Sequence, residues 1–190
     1  MKKILAFLAI VGFASTAQAG QYFVGGGVGF NWTEDTETAF NISPELGYKM
    51  SPKWDIGLGL GYSYYNDHPT STDINSFSVA PFARYNLVQF GKFNVLLKGS
   101  VDFSYANASA GGSSISGTSF GINIAPMVTY DISESFTLYA NLNFLGVGLN
   151  NYSGDLYDAL GVSGTRIGLY LDSTDVFNTN NVQVGFYYNF

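Results

Sequence analysis

Apolar and polar residues alternate with a period of two in segment after segment of this chain, and no other feature limits its fold so strongly. Phe40, Ile42, Pro44, Leu46, Tyr48 and Met50 alternate with Asn41, Ser43, Glu45, Gly47 and Lys49. After Ser51-Pro52-Lys53, the row Trp54, Ile56, Leu58, Leu60, Tyr62, Tyr64 alternates with Asp55, Gly57, Gly59, Gly61 and Ser63. The scheme returns from Phe77 to Leu87 and from Phe93 to Tyr105. It continues over Phe120 to Ile132, from Phe136 to about Leu149, and from Val182 to Phe190. Gln21 to Asn31 is glycine-rich and fits a first strand. Successive side chains of a strand point to opposite faces, so this pattern predicts an all-β chain.

Which row faces outward decides the class. None of the apolar rows carries a charge. Every strand charge lies on the other row: Glu45, Lys49, Asp55, Arg84, Lys98, Asp102 and Asp131. A soluble barrel would expose that other row, made mostly of Gly, Ser and Asn. Charged residues are only 12% of the chain, against about 25–35% Asp, Glu, Lys and Arg on ordinary soluble surfaces. It would also force the bulky row into a lumen that an eight-stranded barrel can barely fill. Turned inside out, the bulky row meets lipid and the small polar row fills the interior. The charges there must be paired to be tolerated, so Lys49, Arg84 and Lys98 are the expected partners of Glu45, Asp55, Asp102 and Asp131.

Aromatics mark both ends of the apolar rows. Tyr48, Trp54, Tyr85, Phe93, Tyr130 and Phe136 flank three short turns; Phe40, Tyr64, Phe77, Tyr105 and Phe120 stand at the opposite ends. The spacing of about 8–10 residues is what a tilted strand needs to cross a bilayer. Short turns (51–53, 88–92, 133–135) alternate with longer polar stretches (32–39, 66–75, 106–118, 150–164) that read as outer loops. The expected architecture is a transmembrane antiparallel up-and-down β-barrel of eight strands with both termini in the periplasm. Thr165 to Leu171 reads as a strand of its own, yet a ninth strand would put Phe190 on the wrong side. It is read as the outer extension of strand eight or part of a loop hairpin.

Lys2 and Lys3, the apolar run Ile4 to Phe13 and Ala17-Gln18-Ala19 read as a secretory signal peptide over residues 1–19, cleaved after Ala19. The apolar run is too short for a membrane span of about 20 residues. Residues 20–190 then form one barrel domain in a Gram-negative envelope, with no peptidoglycan-binding domain expected beyond it. The absence of cysteine excludes disulfides, thiolate metal sites and a Cys nucleophile. With a net charge of −6, the chain has nothing to attract a polyphosphate, and nucleic acid is not an expected partner.

A repeat links three strands: Ser43-Pro44-Glu45-Leu46-Gly47-Tyr48-Lys49-Met50, Ala80-Pro81-Phe82-Ala83-Arg84-Tyr85-Asn86-Leu87 and Ala125-Pro126-Met127-Val128-Thr129-Tyr130-Asp131-Ile132. Proline removes a ladder hydrogen bond, so its recurrence predicts a bulge or bend at each of these positions. With the Gly-rich strand Gly57 to Tyr62 and the ending Val184 to Phe190, this pattern resembles the porin-family outer-membrane β-barrel domain. That family groups with small eight-stranded barrels of the OmpA and OmpX type. The resemblance implies an assembly signal in Phe186, Tyr188 and Phe190, read by the outer-membrane assembly machinery as a transient partner. It also implies outer-membrane lipid and lipopolysaccharide as surroundings. Oligomeric state is open, a monomer being the expectation from fold analogy.

No motif for catalysis stands out. His68, the one histidine, lies in a polar loop with Thr70 and Ser71 nearby, but no nucleophile and base share a strand. Glu34, Asp35, Glu37, Asp67, Asp73, Asp155 and Asp158 make the loops acidic, without the spacing of a calcium loop. Neither Gly111-Gly112-Ser113-Ser114 nor Gly25 to Gly29 has the strand-loop-helix setting of a phosphate-binding loop. The expectation is a non-enzymatic barrel without cofactor or metal, with a filled lumen and acidic loops serving envelope integrity or surface interaction. The alternative is a narrow channel for small solutes.

Overall fold

The computed structural model describes residues 22–142, 145–171 and 182–190. The expected leader over residues 1–19 lies outside the described residues, as does the stretch 172–181. The described strands are β1 (Tyr22–Thr33), β2 (Glu37–Lys49), β3 (Trp54–Asp67), β4 (Thr72–Phe90), β5 (Phe93–Ala110) and β6 (Ser113–Asp131). They continue as β7 (Phe136–Leu142), β8 (Leu145–Ser153), β9 (Gly164–Leu171) and β10 (Val182–Asn189), with helix α1 (Asp155–Ala159) between β8 and β9.

All pairings are antiparallel. Strands β1 to β6 pair neighbour to neighbour, β7 follows β6, and β10 joins β7 to β1. The sheet is therefore closed. It has eight staves, because β7 and β8 lie beside the two halves of β6, and β9 pairs with β8 as β10 pairs with β7. Thr165 to Leu171 belongs to the outer part of this eighth stave.

The rows face as the alternation requires. Leu58, Leu60, Phe77, Val79, Phe103 and Ile122 are exposed on the outside of the ring, while Glu45, Phe82, Arg84, Leu96 and Met127 are buried within it. A belt of large exposed apolar side chains around a closed sheet needs a lipid solvent.

Two local expectations change. The outer connections are strand extensions more than loops: β5 runs to Ala110 and β6 starts at Ser113. Only Gly111 and Gly112 turn the chain between them, at φ +56° and +82°, a conformation that suits glycine. The inner β4–β5 turn likewise shrinks to Gly91-Lys92. Above the membrane both faces of a hairpin are wet, so the hydrophobic alternation that marks a strand fades. The prolines also behave differently from the bulges expected of them. Around Pro44 the β2–β3 ladder skips from Ile42–Tyr62 to Glu45–Gly59 without a shift of register. Around Pro81 the β4–β5 ladder skips from Val79–Phe103 to Phe82–Ser100, again without a shift. Each proline stays paired to the preceding strand and opens a gap toward the following one, the side from which its N–H is missing. Pro126 alone lies at a register change, where β6 passes from pairing with β8 to pairing with β7. The bulge in β4 falls between Asn86 and Val88 instead.

Leu58 faces lipid between Leu46 and Pro81. Replacing it with Lys is expected to cost about 2–4 kcal/mol if it sits near the bilayer midplane, measured by urea unfolding in lipid vesicles. Glycines on the inner row divide by what they touch. A Cβ at Gly47 would overlap the Phe23 ring, whereas one at Gly59 meets its nearest atom, the Ala80 carbonyl oxygen, at 3.5 Å. In the same assay Gly47→Ala should destabilise the barrel and Gly59→Ala should be nearly neutral.

Candidate functional site

The site is the lumen, and its centre is a layer of buried, paired side chains. Arg84, 4% exposed, enters from β4 and lays its guanidinium over Phe23 of β1, 4.1 Å from the ring centroid, and over Tyr187 of β10 at 4.8 Å. Its Nη2 donates to Asp55 at 3.1 Å. Lys98 of β5 reaches across the lumen to Glu45 of β2 at 2.6 Å, and the second oxygen of Glu45 accepts from the Tyr187 hydroxyl at 2.5 Å. Tyr139 stacks on Tyr187, with ring centroids 4.5 Å apart. Phe82, Leu96 and Met127 complete the buried cluster, Met127 at 0% exposure. A buried cation is costly unless paired. Here each has a carboxylate, and Arg84 adds the negative faces of aromatic rings.

This layer fits because large and small inner residues complement one another. A Cβ at Gly57 would overlap Phe82, and one at Gly185 would stand 2.5 Å from Tyr139. Phe23, Phe82, Leu96, Met127, Tyr139 and Tyr187 were not singled out in the sequence, where they look like exceptions on the polar row. The inner-row glycines that face these rings, Gly47 and Gly57 directly paired and Gly185 on β10, were the available signal.

Only two of the expected ion pairs form among the described residues, Arg84–Asp55 and Lys98–Glu45. Asp102 is held instead by Ser100 and Asn123, both at 2.8 Å. Asp131 accepts from Thr137 at 2.7 Å and Asn94 at 3.0 Å. Neutral donors satisfy these two carboxylates, and neither makes an ion pair among the described residues. Lys49 stands across from Asp55 in register but makes no ion pair. Polar side chains also line the lumen on the other side of the central layer, where Asp102 and Asn123 lie and a chain of bonds runs from Asn141 to Gln183 to Ser43.

The aromatic residues form two bands outside the ring. At the short-turn end, Tyr22–Tyr48, Trp54–Tyr85, Phe93–Tyr130 and Phe136–Tyr188 pair across adjacent strands, with centroids 4.6–5.3 Å apart. At the hairpin end Phe40 lies opposite Tyr64, Phe77 opposite Tyr105, and Phe103 opposite Phe120. Phe186 and Tyr188 face out, Tyr188 packs on Phe190, and the Phe190 N–H donates to the Tyr22 carbonyl at 3.0 Å.

Comparison with known proteins places the chain. Residues 5–190 match the family model described as outer membrane protein beta-barrel domain. The chain belongs to this family. Its short turns then face the periplasm and its long hairpins the cell exterior, as in outer-membrane barrels generally. Among solved structures, the barrel is similar to Neisserial surface protein A, with a TM-score of 0.57 and 17% identity. That match covers 92% of this chain and 100% of the other. It is also similar to a major outer membrane protein from Thermus thermophilus, with a TM-score of 0.53 and 13% identity, over 90% of this chain and 98% of that one. At such identities the likeness is one of fold. Comparison with the curated proteins gave no match.

The exterior end of this family member holds no assembled chemistry among the described residues. His68 Nε2 meets Thr38 Oγ1 at 3.1 Å, and its link to Ser71 is a backbone turn bond. The acidic residues gather into no metal-binding group there. Asp73 is bonded by Tyr64 at 2.6 Å and Asn66 at 2.9 Å, which holds its carboxyl below the usual carboxylate range. Helix α1 folds inward: Leu156 is buried against Ala106, Ala108 and Ile74, which share the parity of the lumen residues Lys98 and Arg84.

Asp55→Asn should leave Arg84 without its carboxylate and cost about 3 kcal/mol, the lower end of what breaking a buried pair costs, by urea unfolding. Because its folded-state pKa is depressed, Asp73 contributes stability above its unfolded pKa and loses it as pH falls through the lowered value. Carboxyl-carbon NMR should find Asp73 titrating below the ordinary aspartate value, and Tyr64→Phe should move it back up.

Proposed function

We propose that this chain is a non-enzymatic outer-membrane barrel with a closed lumen, serving envelope integrity or surface interaction through its acidic exterior hairpins. One observation carries the reading: the central layer in which Arg84 and Lys98 are each paired with a carboxylate and packed on aromatic rings, Lys98 with Glu45 and Arg84 with Phe23 across the lumen. A plug built of paired charges and close-packed rings leaves no free path for water. With the interior so occupied, the surfaces left for interaction are the hairpins carrying Glu34, Asp35, Glu37, Asp67, Asp155 and Asp158. Lipopolysaccharide, whose phosphates are bridged by divalent cations, is the partner that such carboxylates suit. The outward aromatic row ending in Phe186, Tyr188 and Phe190 suits recognition by the outer-membrane assembly machinery.

A second reading rests on the polar side chains that line the lumen on both sides of the central layer. Only one layer separates them, so a narrow channel for small solutes would require no more than its rearrangement. Single-channel recording in planar bilayers tests both, using protein whose folding is established by heat-sensitive gel mobility. The closed-lumen reading expects silence. Discrete, reproducible openings of unaltered protein would replace it with solute passage.

A further inference from the structure

The periplasmic half of the lumen holds a cavity of about 300 Å³, the size range of small-molecule sites. Arg84 and Tyr187 line its deep end and Lys49 and Lys53 its mouth. Its two carboxylates are already committed. Asp55 binds Arg84, and Asp131 accepts from Thr137 and Asn94. Lys49 and Lys53 have no carboxylate within ion-pairing distance among the described residues, and the lining holds three cations, Lys49, Lys53 and Arg84, against the two carboxylates of Asp55 and Asp131.

Its deep end also has hydrogen-bonding capacity to spare. The Nε–H of Arg84 is buried without an acceptor, and the Oδ1 of Asn86, which lines the same cavity, is buried without a donor. A buried donor left without an acceptor is costly, and a guanidinium is suited to an oxyanion in particular. The rings of Phe23 and Tyr187 fix the guanidinium in place before any ligand arrives.

We propose that this cavity is a binding site for a small oxyanion, a phosphate or carboxylate group, that enters from the periplasmic side. Arg84 Nε supplies the deep contact, Lys49 and Lys53 attract and hold the charge at the mouth, and Asn86 accepts from a hydroxyl on the ligand. The site lies on the periplasmic face of the central layer, with Arg84, Phe23 and Tyr187 of that layer as its floor, so it rests on the closed-lumen reading. The oxyanion has two possible sources, a free periplasmic solute and the headgroup of an inner-leaflet anionic lipid.

The test titrates inorganic phosphate, at constant ionic strength, into isotope-labelled protein folded in maltoside micelles, which carry no phosphate. NMR follows the Arg84 Nε–Hε signal and the Asn86 side-chain amide. Saturable shifts of both are expected, and the double variant Lys49→Gln/Lys53→Gln should weaken apparent affinity about fivefold or more. Heat-sensitive gel mobility checks that this variant still folds. Shifts confined to exposed Lys53 and Lys92 and rising without saturation would overturn the proposal, as would full affinity in the folded double variant. Transfer to nanodiscs containing phosphatidylglycerol, without added phosphate, separates the sources. An Arg84 signal already shifted there identifies a lipid headgroup, and one that still needs phosphate identifies a free solute.

Discussion

Hydrocarbon cannot hydrogen-bond a peptide group, and that constraint governs everything else in this molecule. A strand that crosses lipid must have partners on both sides, so the sheet has to close on itself. Closure is achieved by the pairing of β10 with both β1 and β7, which brings the C-terminal strand beside the first. The Phe190 N–H bonded to the Tyr22 carbonyl fastens the seam at its periplasmic end. The prolines show how much slack the ring allows. A ladder can skip a proline toward one neighbour provided the register survives, as it does at Pro44 and Pro81.

Once closed, an eight-stave ring leaves an interior that side chains must fill. Here the filling is a single cross-braced layer. Arg84 and Lys98 come from neighbouring strands, but Lys98 is tied to Glu45 of β2 and Arg84 packs on rings from β1 and β10. Such contacts span the barrel and resist its flattening. The glycines opposite the rings make this possible, since Gly47, Gly57 and Gly185 provide the volume that Phe23, Phe82 and Tyr139 occupy.

The two ends of the barrel are electrically different. Glu34, Asp35, Glu37, Asp67, Asp155 and Asp158 lie at the exterior hairpins and helix, while Lys49, Lys53 and Lys92 lie at the periplasmic turns. Height differs as well: β4, β5 and β6 have 19, 18 and 19 residues against 12 in β1. Helix α1 leans on the inward face of that taller wall. The exterior rim is therefore a slanted acidic surface, whereas the periplasmic mouth sets Lys49, Lys53 and Lys92 beside Asp131 and Glu134.

Sequence alone determined the class, the facing of the rows and both aromatic bands, because lipid imposes a period of two that local composition can record. Leu58 outward and Arg84 inward follow from parity and need no knowledge of the partner strand. Partners were another matter. That Lys98 meets Glu45 rather than Asp102, and that neutral donors hold Asp131, depends on how neighbouring strands are staggered around the ring. Alternation carries no record of that stagger. The hydrophobic half of the plug was hidden for the same reason. Phe23, Tyr139 and Tyr187 read as irregularities until closure sets them against one another and against Gly47 and Gly185. Tertiary structure alone decided which inner residues touch, because contact across a lumen joins positions that no sequence period relates.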